Sequence, residues 1–265
     1  MEGCLLQRES DYWNSLVSKW PVGRQSLWRT HSDAINTALL KEWLPLGENG
    51  RVLKTDLFDE MCSEGLYPFF APGTGSFIGM DLSFAAASGA LFFNPGMAAV
   101  AADIRRLPFA DSVFDTVISI STLDHFASLA DIALSLCEIH RVLRQGGQMA
   151  LTMDNFTNPV IALRNKLPFR LLNRLRVLPY RVGVTLDSLC LQQLLNQVGF
   201  AVGEQTTTIH CPRALAMALA HLLEISANAR TKKVFLSCLA AFEKLSRWPT
   251  SHLTGHFIAA RAIKR

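Results

Sequence analysis

None of the six cysteines, at positions 4, 62, 137, 190, 211 and 238, sits in a C-x-x-C pair. That spacing speaks against a zinc site and against a small disulfide scaffold, and it predicts reduced thiols, no metal and a cytoplasmic location. The opening run MEGCLLQRESDYW lacks a continuous apolar core and carries acids early, so it does not read as a secretory signal. No G-x-G-x-x-G follows a strand-like run, which speaks against a nicotinamide dinucleotide site. The nearest approach, Gly73-Thr74-Gly75, follows Pro72, precedes a strand and reads as a turn. Charged residues are sparse, 18% against 49% hydrophobic, a balance that provides a sizeable core and excludes a disordered chain.

Acid is missing altogether between Asn155 and Leu186, where Arg164, Lys166, Arg170, Arg174, Arg176 and Arg181 supply six positive charges. Without those six the chain holds 20 basic and 22 acidic residues, so the net charge of +4 is a local property. Leu82 to Ala102 lacks charge of either sign and, at 21 residues, is long enough to span a bilayer. Ser83, Ser88, Gly89 and the turn signal Asn94-Pro95-Gly96 split it into a helix and a strand, so no transmembrane segment is expected.

What is present is an alternation. Residues 11–46 are helix-like and rich in tryptophan, ending at Pro45 and Gly47, and residues 1–48 read as a helical cap. From 49 to 265 short apolar strands alternate with helical periods. The strands are RVLKTDL (51–57), SFIGMD (76–81), MAAVAAD (97–103), VFDTVISIS (113–121), QMALTMD (148–154), FAVGEQTTTIH and GHFIAARAIK. Ser128 and Asp131 form a capping box for a helix whose face is Leu129, Ile132, Ala133, Leu136, Ile139, Val142 and Leu143, with Gly146-Gly147 as its stop. This pattern predicts an α/β fold: a doubly wound, mostly parallel seven-stranded sheet with helices on both faces, a cap at the N-terminus and a helical insertion after the fifth strand.

Three strands end in an acid: Asp56, Asp81 and Asp103. Ligands of such sheets collect at the carboxyl ends of the strands, and a carboxylate after the second strand can accept both hydroxyls of a ribose. Asp81, followed by Leu82-Ser83, could instead cap the next helix. Around these acids the run ADIRRLPFADSVFDTVISISTLDHF and the later EIHRVLRQGGQMALTMDN strongly resemble class I S-adenosylmethionine (SAM)-dependent methyltransferases. The resemblance is closest to the small-molecule branch that includes quinone-biosynthesis enzymes, and it covers about residues 50 to 205. It rests on Asp103, Leu107, Pro108, Phe109, Asp111, Phe114 and Asp115, then on Glu138, Arg141, Val142, Leu143, Gly146 and Gly147.

The resemblance implies a Rossmann-like methyltransferase fold using SAM and releasing S-adenosylhomocysteine. It assigns the ribose to Asp81 with Leu82 beside it, the adenine to Asp103 and Ile104, and the methionine part to Ser119 and Ser121. The departure is the first motif, where the family has an acid at the position of Lys54 and G-x-G from Asp56 to Phe58. SAM carries an ammonium, a carboxylate and a sulfonium but no phosphate, so an acidic loop could hold the ammonium directly through Asp56, with Glu60 behind it and Leu57 also counted among the cofactor-binding residues. Asp59 and Glu60 could also simply favour the first turn of a helix.

Methyl transfer is an in-line displacement, governed by positioning and, for a hydroxyl acceptor, by a base. His125 is the candidate base, with Asp124 either orienting it or facing the cofactor; a polar cap or packing role competes with both. His31, His210 and His256 are weaker candidates for the acceptor pocket. The basic segment 155–182 reads as a lid over a small, anionic acceptor, with an anionic lipid surface and a plain solvated face as competing readings. The expected activity is methylation of a small organic molecule at oxygen. The alternative is a catalytically inactive protein of this fold that binds or regulates a partner. Nucleic acid is disfavoured, because the basic residues are confined to one segment and no base-handling tetrapeptide is present. Oligomeric state is not legible from these patterns.

Overall fold

The short β-branched and alanine-rich runs become strands because they are apolar on both sides, as a sheet covered on two faces requires. The computed structural model describes residues 2–20, 26–44, 50–70, 75–175 and 178–265. The expected helix stop at Pro45 and Gly47, Pro72 with most of the Gly73-Thr74-Gly75 turn, and Arg176 lie outside them. Among the described residues seven strands form one sheet: β1 (Arg51–Lys54), β2 (Ser76–Asp81), β3 (Ala98–Ala101), β4 (Phe114–Ile120), β5 (Leu143–Asp154), β6 (Phe200–Thr208) and β7 (Phe257–Lys264). Their order is β3-β2-β1-β4-β5-β7-β6. β1 to β5 pair in parallel, and β7 runs antiparallel to both neighbours. The direction of winding reverses between β1 and β4, and there the carboxyl ends of the strands open a crevice.

Two helices precede the sheet, α1 (Glu2–Val17) and α2 (Leu27–Trp43). Short α3 (Phe58–Cys62) and α4 (Tyr67–Phe70) follow β1, and α5 (Phe84–Phe93) follows β2, so the uncharged stretch from Leu82 divides into helix and strand as expected. No described helix is long and apolar enough to cross a membrane. α6 (Leu129–Val142) starts where Ser128 Oγ accepts the Asp131 amide, and it buries Ile132, Leu136, Ile139 and Val142 against Val117 and Leu151. One expectation fails there. Gly146 and Gly147 do not stop the helix: it ends at Val142, the strand begins at Leu143, and the glycines lie in β5 where its register against β4 shifts. Gly146 takes φ +72°, a conformation that an irregular strand can demand and glycine supplies without strain.

The insertion after β5 contains α7 (Pro159–Asn165) and α8 (Phe169–Arg174); α9 (Ser188–Val198) then leads into β6, with α10 (Arg213–Ser226), α11 (Ala229–Phe242) and α12 (Ser251–Thr254) before β7. α1 packs on α5, and α2 on α10 and α11.

Where α2 meets α3, Arg29 is committed to Asp59. Asp33, a turn further along α2, lies 3.8 Å from the same guanidinium. It is buried, and neither carboxylate oxygen has a hydrogen-bond partner among the described residues. Burial, with Asp59 nearby, pushes the Asp33 carboxyl up to about 7. An acid whose pKa is higher in the native state holds its proton there, so stability falls as pH rises from the ordinary carboxylate range through about 7. Asp33→Asn is expected to flatten that slope in urea denaturation and to raise stability at pH 8 by about 1–3 kcal/mol; a loss of stability at pH 8 would contradict the account.

Candidate functional site

The crevice at the switch point is a cavity of about 430 Å³, within the range of small-molecule sites. Its floor comes from the ends of four successive strands. Thr55 and Asp56 follow β1; Met80, Asp81 and Leu82 lie at the end of β2; Ala102, Asp103 and Ile104 follow β3; Thr122, His125 and Phe126 follow β4. The Thr55 and Thr122 hydroxyls meet at 3.2 Å across the β1–β4 gap. The opposite wall is α1, through Arg8, Glu9, Tyr12, Trp13 and Leu16, and the end of the basic insertion, through Tyr180, Arg181 and Gly183.

Asp81 is held by two backbone amides. Its Oδ2 accepts the Leu57 N–H at 3.0 Å and its Oδ1 accepts the Ser83 N–H at 2.7 Å. Each oxygen keeps a further lone pair. Burial raises the Asp81 carboxyl above the ordinary range, offset in part by those amides. Asp56 accepts the Phe58 N–H at 3.2 Å, and its carboxyl is pushed well up by burial, with Lys54 opposing and Asp81, Asp59 and Glu60 adding to the rise. Asp103 is grasped by Arg105 Nε at 3.0 and 3.1 Å and by Nη2 at 2.7 Å. Arg105 also reaches Glu9 at 2.5 Å and Asp131 at 3.2 Å, which ties α1 to the floor.

The glycine-free loop has its own internal pair. Lys54 and Glu60 side chains are both fully buried, and Lys54 Nζ donates to Glu60 Oε2 at 2.8 Å and to the Asp56 carbonyl. Burial alone would lower the Lys54 pKa, but Glu60, Asp56 and Asp59 hold the ammonium above its ordinary value. Glu60 Oε1 accepts the Leu66 amide at 3.0 Å. This corrects the reading of Glu60 as a ligand contact: its charge is spent inside the fold and it does not line the cavity. Asp59 is likewise occupied, by Arg29.

Leu57 contributes its amide to Asp81 but not its side chain, which is buried over Gly79, where a Cβ would stand 2.3 Å from Leu57 Cδ2. Ser119 is buried within β4, away from the cavity. Ser121 adopts φ +50°, and its hydroxyl donates to Asp124 Oδ2 at 3.0 Å, so Thr122 takes the place expected for the serines. Asp124 is buried, 1% exposed, and also accepts the Asp154 amide at 3.0 Å. It turns under β5 and neither lines the cavity nor bonds to His125.

His125 does line the cavity, packed edge-on between Trp13 (ring centroids 4.9 Å apart) and Tyr180 (5.3 Å), with Nδ1 3.4 Å from the Arg181 carbonyl. His31, His210 and His256 do not line it. His31 lies against Trp28. His210 bonds to Thr254 at 2.8 Å. His256 accepts from Arg213 at 2.9 Å beside Asp154, and burial, with Arg213, lowers its pKa to about 3. Sequence reasoning did not single out Gly183. Its amide donates to the Asp124 carbonyl at 2.7 Å, and a Cβ there would fall 1.9 Å from the Phe126 carbonyl oxygen. Only glycine lets the insertion close so tightly over the strand ends.

The sheet order and the helices around it define the fold as that of Rossmann-like methyltransferases. A family described as a methyltransferase domain matches residues 60–151, less than half of the chain. Nothing among curated proteins matches by sequence. Among solved structures, a SAM-dependent methyltransferase from Mesorhizobium loti superposes with a TM-score of 0.60 at 17% identity, covering 88% of this chain and 100% of that one. The [4+2]-cyclase SpnF gives 0.57 at 16% identity, covering 95% and 90%. Phosphoethanolamine N-methyltransferase 2 of Haemonchus contortus gives 0.56 at 16% identity, covering 86% and 52%. A protein named for cyclisation shares this fold, so the fold alone does not specify the reaction.

Lys54→Ala would leave the Glu60 carboxylate buried without its cation. It is expected to cost about 3–5 kcal/mol in urea denaturation, whereas Lys54→Met combined with Glu60→Leu should recover most of the loss. A neutral Lys54→Ala would show that the pair does not hold the loop.

Proposed function

We propose that this chain is a SAM-dependent methyltransferase acting on a small organic acceptor at oxygen. The observation that carries the reading is the convergence of Asp56, Asp81 and Asp103 on one cavity at the strand ends. Asp81 has no ion-pair partner among the described residues, and Asp56 has only the Lys54 ammonium at 3.8 Å, which is shared with Glu60 at 2.8 Å, so a cationic ligand would supply the charge these buried carboxyls lack. Asp81, fixed by two amides, would accept the ribose hydroxyls on its remaining lone pairs. Asp103, steadied by Arg105, and Ile104 would meet the adenine, with Leu82 alongside. Asp56 would take the ammonium. When bound, SAM supplies an activated methyl group on a sulfonium.

The remaining work belongs to this chain. Trp13, Tyr180 and Phe126 form an aromatic wall that orients a flat acceptor and excludes water. His125, on the same wall, would take the hydroxyl proton of an acceptor held there. Asp124 acts at most as a support beneath the strand ends. The likeness to quinone-biosynthesis enzymes rests on the sequence runs alone, and the acceptor is proposed only as a small molecule. Separated cysteine thiols, free at 62, 137, 190, 211 and 238, suit a reducing cytoplasm. One observation favours the alternative of a non-catalytic binding protein: Phe58, where the related enzymes have glycine, puts its side chain into the cavity wall.

Thermal denaturation with SAM and with S-adenosylhomocysteine separates the two readings. Either ligand at a hundredfold excess over its Kd should stabilise the protein by about 2.7 kcal/mol, and Asp81→Asn should weaken binding at least tenfold by calorimetry. No shift with either ligand would favour the non-catalytic reading.

His125→Phe keeps the ring between Trp13 and Tyr180 but removes the base. Methyl transfer to phenolic acceptors is expected to fall roughly 10²- to 10⁴-fold with S-adenosylhomocysteine affinity unchanged; full turnover would remove His125 from the chemistry.

A further inference from the structure

The basic insertion has two sides with different chemistry. Its inner side is anchored: Ile161 and Leu172 are buried, Arg164 Nη1 pairs with Asp154 Oδ2 at 2.6 Å, and Asn165 donates to the Thr185 hydroxyl at 2.7 Å. Its end, Tyr180 to Gly183, lines the cavity. The outer side carries large apolar side chains that nothing among the described residues covers: Phe156, Val160 (69% exposed), Leu163 (61%), Leu167, Leu171 and Leu175 (63%). Val160 and Leu163 share the face of α7 away from Ile161, and Leu171 and Leu175, one turn apart on α8 and its C-cap, form an exposed stripe beside the buried Leu172. An exposed apolar patch of this extent on a lid marks an interaction surface.

The charge around the patch identifies what it meets. Lys166, Arg170 and Arg174 are exposed among these apolar residues, and none forms an ion pair with the described residues. No acid occurs between Asn155 and Leu186. A protein partner would need a matching apolar and acidic surface, whereas an anionic bilayer offers both at once: acyl chains at shallow depth and a plane of negative headgroups. Short helices with apolar residues on one side and flanking cations lie in that interface, and each cation near it adds to the attraction. The prolines at 159, 168 and 179 keep the pieces short, which suits a patch lying on a surface and rules out a spanning segment.

We propose that the outer face of α7 and α8 docks on membranes rich in anionic lipid, while the end of the same insertion, Tyr180 to Gly183, lines the cavity. The inference does not depend on which ligand the cavity takes, so it can fail while the methyltransferase reading stands.

Flotation of the full chain with vesicles of phosphatidylcholine, alone and with phosphatidylglycerol, tests it. The protein should float with the anionic vesicles, remain unbound with phosphatidylcholine alone, and be released by high salt. Lys166→Glu with Arg170→Glu and Arg174→Glu, and separately Leu163→Asp with Leu167→Asp, should each lower partitioning at least tenfold; all these side chains are exposed, and unchanged urea denaturation confirms the variants fold. Three results would overturn the proposal. These are no binding to anionic vesicles, equal binding to both compositions, or a concentration-dependent dimer in sedimentation that Leu163→Asp abolishes, which would make the patch an interface between copies.

Discussion

The site depends on a lysine buried where the chain leaves its first strand. Lys54 has no solvent exposure, and its ammonium is neutralised by Glu60 and capped by the Asp56 carbonyl. A buried pair of this kind adds little net stability, because desolvation of both charges offsets their attraction, but removing one partner is costly. What it supplies is shape. By drawing α3 back over β1 it fixes the turn between them, and that turn points the Leu57 amide at Asp81. A glycine-rich loop would let backbone approach a ligand; this loop instead uses an internal ion pair to arrange carboxylates.

The consequence is a cavity with two electrostatic ends. The floor collects Asp56, Asp81 and Asp103, of which Asp103 alone is gripped by an arginine, Arg105. The far wall offers Arg8 and Arg181 with aromatic rings between them, Arg181 stacking over Tyr12 and Phe169. Such a gradient suits a cation at the strand ends and a second molecule at the aromatic and basic end, which is the arrangement the proposed methyl transfer needs. The insertion that carries Arg181 is pinned at Gly183 against the residues after β4, so the floor and the opposite wall are held in register by backbone contact.

Much of this was legible in the sequence. The strands follow from apolar runs, α6 from its 3.6-residue period and Ser128 cap, and Asp81 and Asp103 from their place at strand ends. The parts that were not legible depend on contacts with no local signature. A lysine at a strand end reads as a surface cation, so Glu60 appears free to meet a ligand when it is in fact committed to Lys54. Ser121 takes a left-handed backbone conformation uncommon for serine, which turns it and Asp124 away from the cavity and gives their place to Thr122. Gly146 and Gly147 sit where a helix stop is expected, yet they serve an irregular strand. Gly183 is one glycine in an irregular segment, and only the approach of Phe126 gives it a role.

A crystal structure with S-adenosylhomocysteine bound would test the central claim most directly. The account expects the ribose hydroxyls on Asp81, the adenine beside Asp103 and Ile104, the amino group at Asp56, and Lys54 still paired with Glu60. An empty cavity at saturating ligand, or a nucleoside bound elsewhere with Asp81 facing solvent, would contradict it.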